Sequence, residues 1–163
     1  MNFTRGFDRS DRRGVTLIEM LIVVAIAGAM VSIVLPTFTN GLDDMRLSQA
    51  SDSVAAFLNG ALNRVERRQR PMELSISPAE NLILLRSADA SFSKKLDLPD
   101  GIRVETVLPK SQESANVARN FLLMPGATAP RIGVQLANRR GRRRIVSVDP
   151  ITGAPKIERV DNP

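Results

Sequence analysis

At 163 residues the chain has room for one modest domain and a short appendage, and it contains no cysteine, histidine, tryptophan or tyrosine. That excludes disulfide scaffolds, thiolate and imidazole nucleophiles, and the usual zinc, haem and iron–sulfur ligand sets; no enzyme, catalytic residue, metal or cofactor is expected. The net charge of +6, from 23 Lys and Arg against 17 Asp and Glu, points to an anionic partner such as nucleic acid, acidic lipid or acidic protein, or to a solvated basic surface.

Residues 1–14 are polar, with Arg5, Arg9, Arg12 and Arg13 set against Asp8 and Asp11, and carry no apolar stripe. From Val15 to Leu35 only Thr16, Glu19 and Ser32 are polar. As a helix this run is about 30 Å long, enough to cross the hydrocarbon core of a bilayer. The arginines precede it and no charge follows until Asp43. The N-terminus is therefore expected to be cytoplasmic and the rest of the chain exported. A cleavable secretory signal would have a shorter apolar run and a small-x-small cleavage site at its end. Glu19 needs a reason, because a carboxylate in a membrane segment is costly unless paired. It sits by the positive end of the helix dipole. In a side-by-side assembly it can neutralise a neighbour's free amino group, which requires cleavage after Gly14 and a new N-terminus at Val15.

Gly14 followed by Val-Thr-Leu-Ile-Glu-Met-Leu-Ile-Val-Val-Ala-Ile resembles the class III signal of type IV prepilins. The resemblance implies that an inner-membrane prepilin peptidase cuts after Gly14 and methylates Val15, and that the retained helix is both anchor and filament core. Val15 departs from the family, which most often has phenylalanine there. Pro36 falls where the family places a helix-kinking proline, and a proline removes one backbone hydrogen bond. Gly41 adds a second weak point.

Beyond it, Leu47, Ala50, Val54, Phe57, Leu58, Ala61, Leu62 and Val65 recur at three- and four-residue steps, predicting a helix with one apolar face to about Gln69, before Pro71. Arg64, Arg67, Arg68 and Arg70 fill its last turns, where cations suit the dipole. The period then changes to two. Met72 to Ile76 and Leu82 to Leu85 flank a turn at Pro78–Asn81 and read as a β-hairpin. Further strands are predicted at 102–108, 121–124, 132–136, 144–148 and 156–160, with a polar loop over 109–118. The expected fold is α+β and pilin-like: a long N-terminal helix, membrane-spanning in its first half, packed on an antiparallel β-sheet. The division is a cleaved leader 1–14, a transmembrane and filament-core helix 15–41, and a periplasmic globular domain 42–163.

Phe121-Leu122-Leu123-Met124-Pro125-Gly126 and Asp149-Pro150-Ile151-Thr152-Gly153 are similar to turns of the GspH/FimT family of minor pseudopilins in type II secretion. That resemblance implies a single-pass protein of the bacterial inner membrane, at or near the tip of a periplasmic pseudopilus. Its partners would be other pseudopilins or pilins, the prepilin peptidase, an inner-membrane assembly platform and exoprotein cargo. Arg139, Arg140, Arg142, Arg143 and Arg144 form a second candidate site, expected on an exposed hairpin tip. Gly141-Arg142-Arg143-Arg144 also resembles the Gly-Arg-x-Arg segment of FimT-like minor type IV pilins, which implies DNA binding for uptake. Arginine forks suit phosphates. A solvated hairpin or an acidic partner is the alternative for the same residues.

Overall fold

The computed structural model describes residues 15–110 and 117–160, without the side chains of 33–40. The leader expected over residues 1–14, with Gly14, and most of the polar loop after Pro109 lie outside the described residues. The chain divides into two compact units, Met1–Thr39 and Asn40–Pro163.

One helix, α1, runs from Leu17 to Arg68 and contributes to both. Thr16 starts it: its Oγ1 accepts a hydrogen bond from the Glu19 backbone N–H at 3.2 Å, satisfying one of the free donors of the first turn. Pro36 lies within the helical run; the kink expected of it rests on residues whose side chains are outside the description. The helix stops as expected before Pro71. Gln69 turns to φ 50, and its side-chain amide donates to the Glu66 carbonyl at 2.7 Å.

In the first unit every described residue from Val15 to Ser32 is exposed. Leu17, Ile18, Leu21, Val24 and Met30 are among them. A helix that is apolar on all sides calls for an apolar surrounding rather than one packed face. Among the described residues, no helix is long and apolar enough to cross a membrane; the apolar sequence continues through residues 33–35, whose side chains lie outside the description.

In the second unit the predicted helix face is the core face. Leu47, Ala50, Val54, Phe57, Leu58, Ala61 and Val65 are all buried, with Leu62 packed beside them. Eight strands follow: β1 Met72–Ser77, β2 Leu82–Ser87, β3 Ser93–Leu96, β4 Ile102–Leu108, β5 Arg119–Leu123, β6 Gly133–Asn138, β7 Arg143–Val148 and β8 Pro155–Val160. One sheet was expected, and there are two, of order β3-β2-β1-β5 and β4-β6-β7-β8, each wholly antiparallel. The split arises because β5 returns to pair with β1, while β4 pairs with β6 instead of joining the first hairpin. Leu74, Ile76, Ile83 and Leu85 of the first sheet share one buried cluster with Val104, Val134, Leu136 and Val146 of the second and with the helix face.

Strand edges differ in character. The β3 edge bears Lys94 and Lys95, β4 is interrupted by a bulge between Val104 and Thr106, and β8 carries Lys156, Glu158 and Arg159. Gly133 sits opposite Leu108 in the β4–β6 ladder, and a Cβ there would stand 2.9 Å from Leu108 Cβ.

Candidate functional site

Three polar side chains interrupt the first apolar run, and the structure deals with them unequally. Thr16 is consumed as the helix cap. Ser32 Oγ donates to the Gly28 carbonyl one turn back at 2.9 Å, a bond that needs no outside partner. Glu19 lies in the first turn of α1, next to the unsatisfied N–H groups. Its carboxylate is exposed and has no side-chain partner among the described residues. Val15 is exposed immediately before the helix.

Arg139 to Arg142 form the turn between β6 and β7, where Gly141 adopts φ 78, while Arg143 and Arg144 already lie in β7. What organises it is Asn138, 1% exposed. Its Oδ1 accepts from the backbone N–H groups of Arg140 and Arg142, both at 3.0 Å. Its backbone closes the turn, donating to the Arg142 carbonyl and accepting from Gly141 N–H.

The expectation of a tip whose arginines all stand open to solvent is corrected, because acidic residues remote in sequence converge on it. Arg140 Nε donates to Asp43 Oδ2 at 3.1 Å, and Arg142 Nη1 to Asp44 Oδ2 at 2.5 Å. Asn138 Nδ2 approaches Asp44 Oδ1 at 3.4 Å. Arg143 forks onto Glu105, Nε to Oε2 at 2.7 Å and Nη2 to Oε1 at 3.0 Å. Arg144 Nη1 donates to Ser48 Oγ at 2.9 Å. The hairpin is thus fastened to the helix at residues 43–48 and to β4 at Glu105.

The two partners of the fork reinforce each other. The Arg143 hydrogen bonds, with that of Gln135 Nε2, outweigh desolvation and hold the Glu105 carboxyl below its ordinary range, and Glu105 raises Arg143. Arg142 keeps 68% of its side chain exposed and Arg140 40%, so part of each guanidinium faces solvent. Arg139 is exposed, its stem lying close over Gly101.

The sequence sets Asp43 and Asp44 largely off the apolar helix face and Asn138 at the start of a turn through Gly141, and assigns nothing to Glu105. Of these, only Asn138 had a readable signal, an asparagine opening a turn that contains glycine. The Asp149 turn is built as its residues suggest. Asp149 Oδ1 accepts from Ile151 and Thr152 N–H at 2.8 and 3.1 Å, and Gly153 supplies φ 69. Those backbone donors, Thr152 foremost, lower the Asp149 pKa. No group of three or more acidic side chains suited to a metal occurs among the described residues.

Residues 9–35 match the prokaryotic N-terminal methylation motif, a stretch that brackets Gly14, Val15 and Glu19. Over 147 residues the chain is 28% identical to the type II secretion system protein H of Xanthomonas campestris pv. campestris, covering 89% of this chain and 82% of that protein. No solved structure gives a significant match. Together with the α+β layout, the motif and the relative support a pilin-like minor pseudopilin of the GspH kind.

Proposed function

We propose that this protein is a structural subunit of a type II secretion pseudopilus, anchored in the bacterial inner membrane by the apolar half of α1 and working at or near the fibre tip. Gly14 is the site of peptidase cleavage and Val15 the methylated N-terminus. Glu19 then takes the positively charged amino group of a neighbouring subunit. One observation carries this reading: of three polar residues in the exposed apolar run, Glu19 is the one whose side chain finds no partner within its own helix. A carboxylate in apolar surroundings requires a cation, and a subunit packed alongside supplies one at the matching depth. The second unit, with its closed core, presents its surface to tip partners, the assembly platform or exoprotein cargo.

The test is Glu19→Ala in the full chain, followed by processing and by co-purification with the fibre. Cleavage after Gly14 is expected to proceed while incorporation falls to background. Glu19→Asp should restore part of it, and Glu19→Gln should not. Wild-type incorporation of the alanine variant would overturn the charge-neutralisation role, and unimpaired export in a deletion strain would overturn the secretion role.

A second reading, a DNA-binding minor pilin, has one observation in its favour: the exposure of Arg142 beside the left-handed Gly141 at the hairpin tip. It predicts salt-sensitive retardation of duplex DNA by the full chain in detergent, lost in Arg142→Ala. With no tyrosine or tryptophan for bases to stack on, such binding would be independent of sequence.

A further inference from the structure

The last turns of α1 hold a second arginine cluster. Arg64, Arg67 and Arg68 sit at spacings of three and four, on one face of the helix. With Arg70 they border a recess of about 550 Å3 whose opposite wall is the β2–β3 turn. Arg64 is held in place: its guanidinium carbon lies 3.5 Å from the centre of the Phe92 ring, a stacked cation–π contact that sets the plane of the fork. Its Nε is buried and meets no acceptor among the described residues. Arg67 and Arg68 are exposed and have no hydrogen-bond or ion-pair partner there either.

The nearby carboxylates are otherwise engaged. Asp89 pairs with Arg70 at 3.0 Å and accepts from the Ser87 and Ser91 hydroxyls at 2.6 and 2.7 Å. Glu66 accepts from the backbone N–H of Gly126 instead. Three guanidinium groups therefore share one concave surface without a counter-charge of their own. Favourable interaction with the helix dipole accounts for cations in the last turn. It does not account for an earlier arginine stacked flat on an aromatic ring with a buried, unaccepted N–H.

We propose that this recess binds a phosphate-type oxyanion, carried by a phospholipid headgroup or free in solution. A carboxylate has two oxygens and is filled by a single arginine fork. Three forks on one face suit the several oxygens of a phosphoryl group. The site shares no residue with the β6–β7 hairpin, and its occupancy is independent of the role given to Glu19.

The full chain in zwitterionic detergent micelles would be titrated with inorganic phosphate at constant ionic strength, and separately with phosphatidylglycerol doped into the micelle, while amide chemical shifts are followed. Saturable shifts at residues 64–70 and 87–92 are expected. A response to phosphatidylglycerol alone identifies the headgroup, to phosphate alone the free ion, and to both the shared chemistry. Arg67→Gln with Arg68→Gln removes no internal contact, and should weaken binding about tenfold or more. Arg64→Lys keeps the charge but loses the fork and the stack, and should weaken it too. Arg142→Gln should leave it unchanged. Absence of shifts with either ligand, shifts that persist in the double variant, or loss in Arg142→Gln would each overturn the proposal.

Discussion

The Asp44 carboxylate takes the Arg142 guanidinium at 2.5 Å, linking residues 98 positions apart and fastening the tip of a hairpin to the helix. Asp43 does the same for Arg140. Both pairs are well exposed on the arginine side, so each contributes at most about 1 kcal/mol. Asp43→Asn with Asp44→Asn should therefore lower the thermal midpoint only modestly. It should also release the Arg142 guanidinium from its carboxylate partner. If the hairpin meets an anionic polymer, the double variant will retard DNA more strongly than the wild type, as a gel-shift titration at fixed salt would show.

Asn138 is a more consequential position. Removing its side chain leaves the N–H groups of Arg140 and Arg142 without their acceptor in a tight turn. Asn138→Ala should cost about 1–3 kcal/mol in denaturant unfolding. Asn138→Asp keeps the acceptor but sets a carboxylate against Asp44, so it should be destabilised at neutral pH and partly recover in acid.

The Glu105–Arg143 fork gives stability a pH dependence with a defined sign. A carboxyl lowered in the folded state contributes stability that is present above its unfolded value and is lost as pH falls through the folded one. Wild-type protein should thus lose stability in acid, below about pH 5. Glu105→Gln should be less stable at pH 7 and should lose less on acidification. Thermal midpoints measured for both proteins from pH 7 to pH 3 test this, and parallel curves would argue against it.

Gly133 allows β4 and β6 to approach. An added Cβ would stand 2.9 Å from Leu108 Cβ and 3.2 Å from its Cδ1, so a neighbouring strand would have to shift. Gly133→Ala should destabilise by about 1–3 kcal/mol, an overpacking cost. Pairing it with Leu108→Gly, which removes the opposing Cβ as well, should show a coupling between the two positions that a double-mutant cycle reads directly.

Periodicity made the helix legible. Of the eight apolar positions that recur at three- and four-residue steps from Leu47 to Val65, seven are buried, and the eighth, Leu62, packs against them. The stop before Pro71 follows from backbone sterics alone. β3 was not legible, because Ser-Lys-Lys-Leu has no alternation of burial. It is a strand because β2 pairs with it and because Ser87 Oγ accepts from the Phe92 N–H at 3.0 Å in the connecting turn. Two sheets in place of one follow from which strands meet, and the local pattern of a strand does not encode its neighbour. The hairpin site was half legible. A run of arginines at a turn is visible in the sequence, but the aspartates that occupy it lie nearly a hundred residues away. Their role depends on the folded geometry of β6, β7 and α1.

The charged or bulged borders of β3, β4 and β8 set a limit on how this protein can associate. Unpaired strand borders are a common route to unplanned polymerisation, and lysines or a bulge along them make strand addition from another molecule unfavourable. Here three of the four borders are protected in one of these ways. At high local concentration the sheets are thus poor templates for one another. Accidental cross-β aggregation between copies is discouraged at those borders.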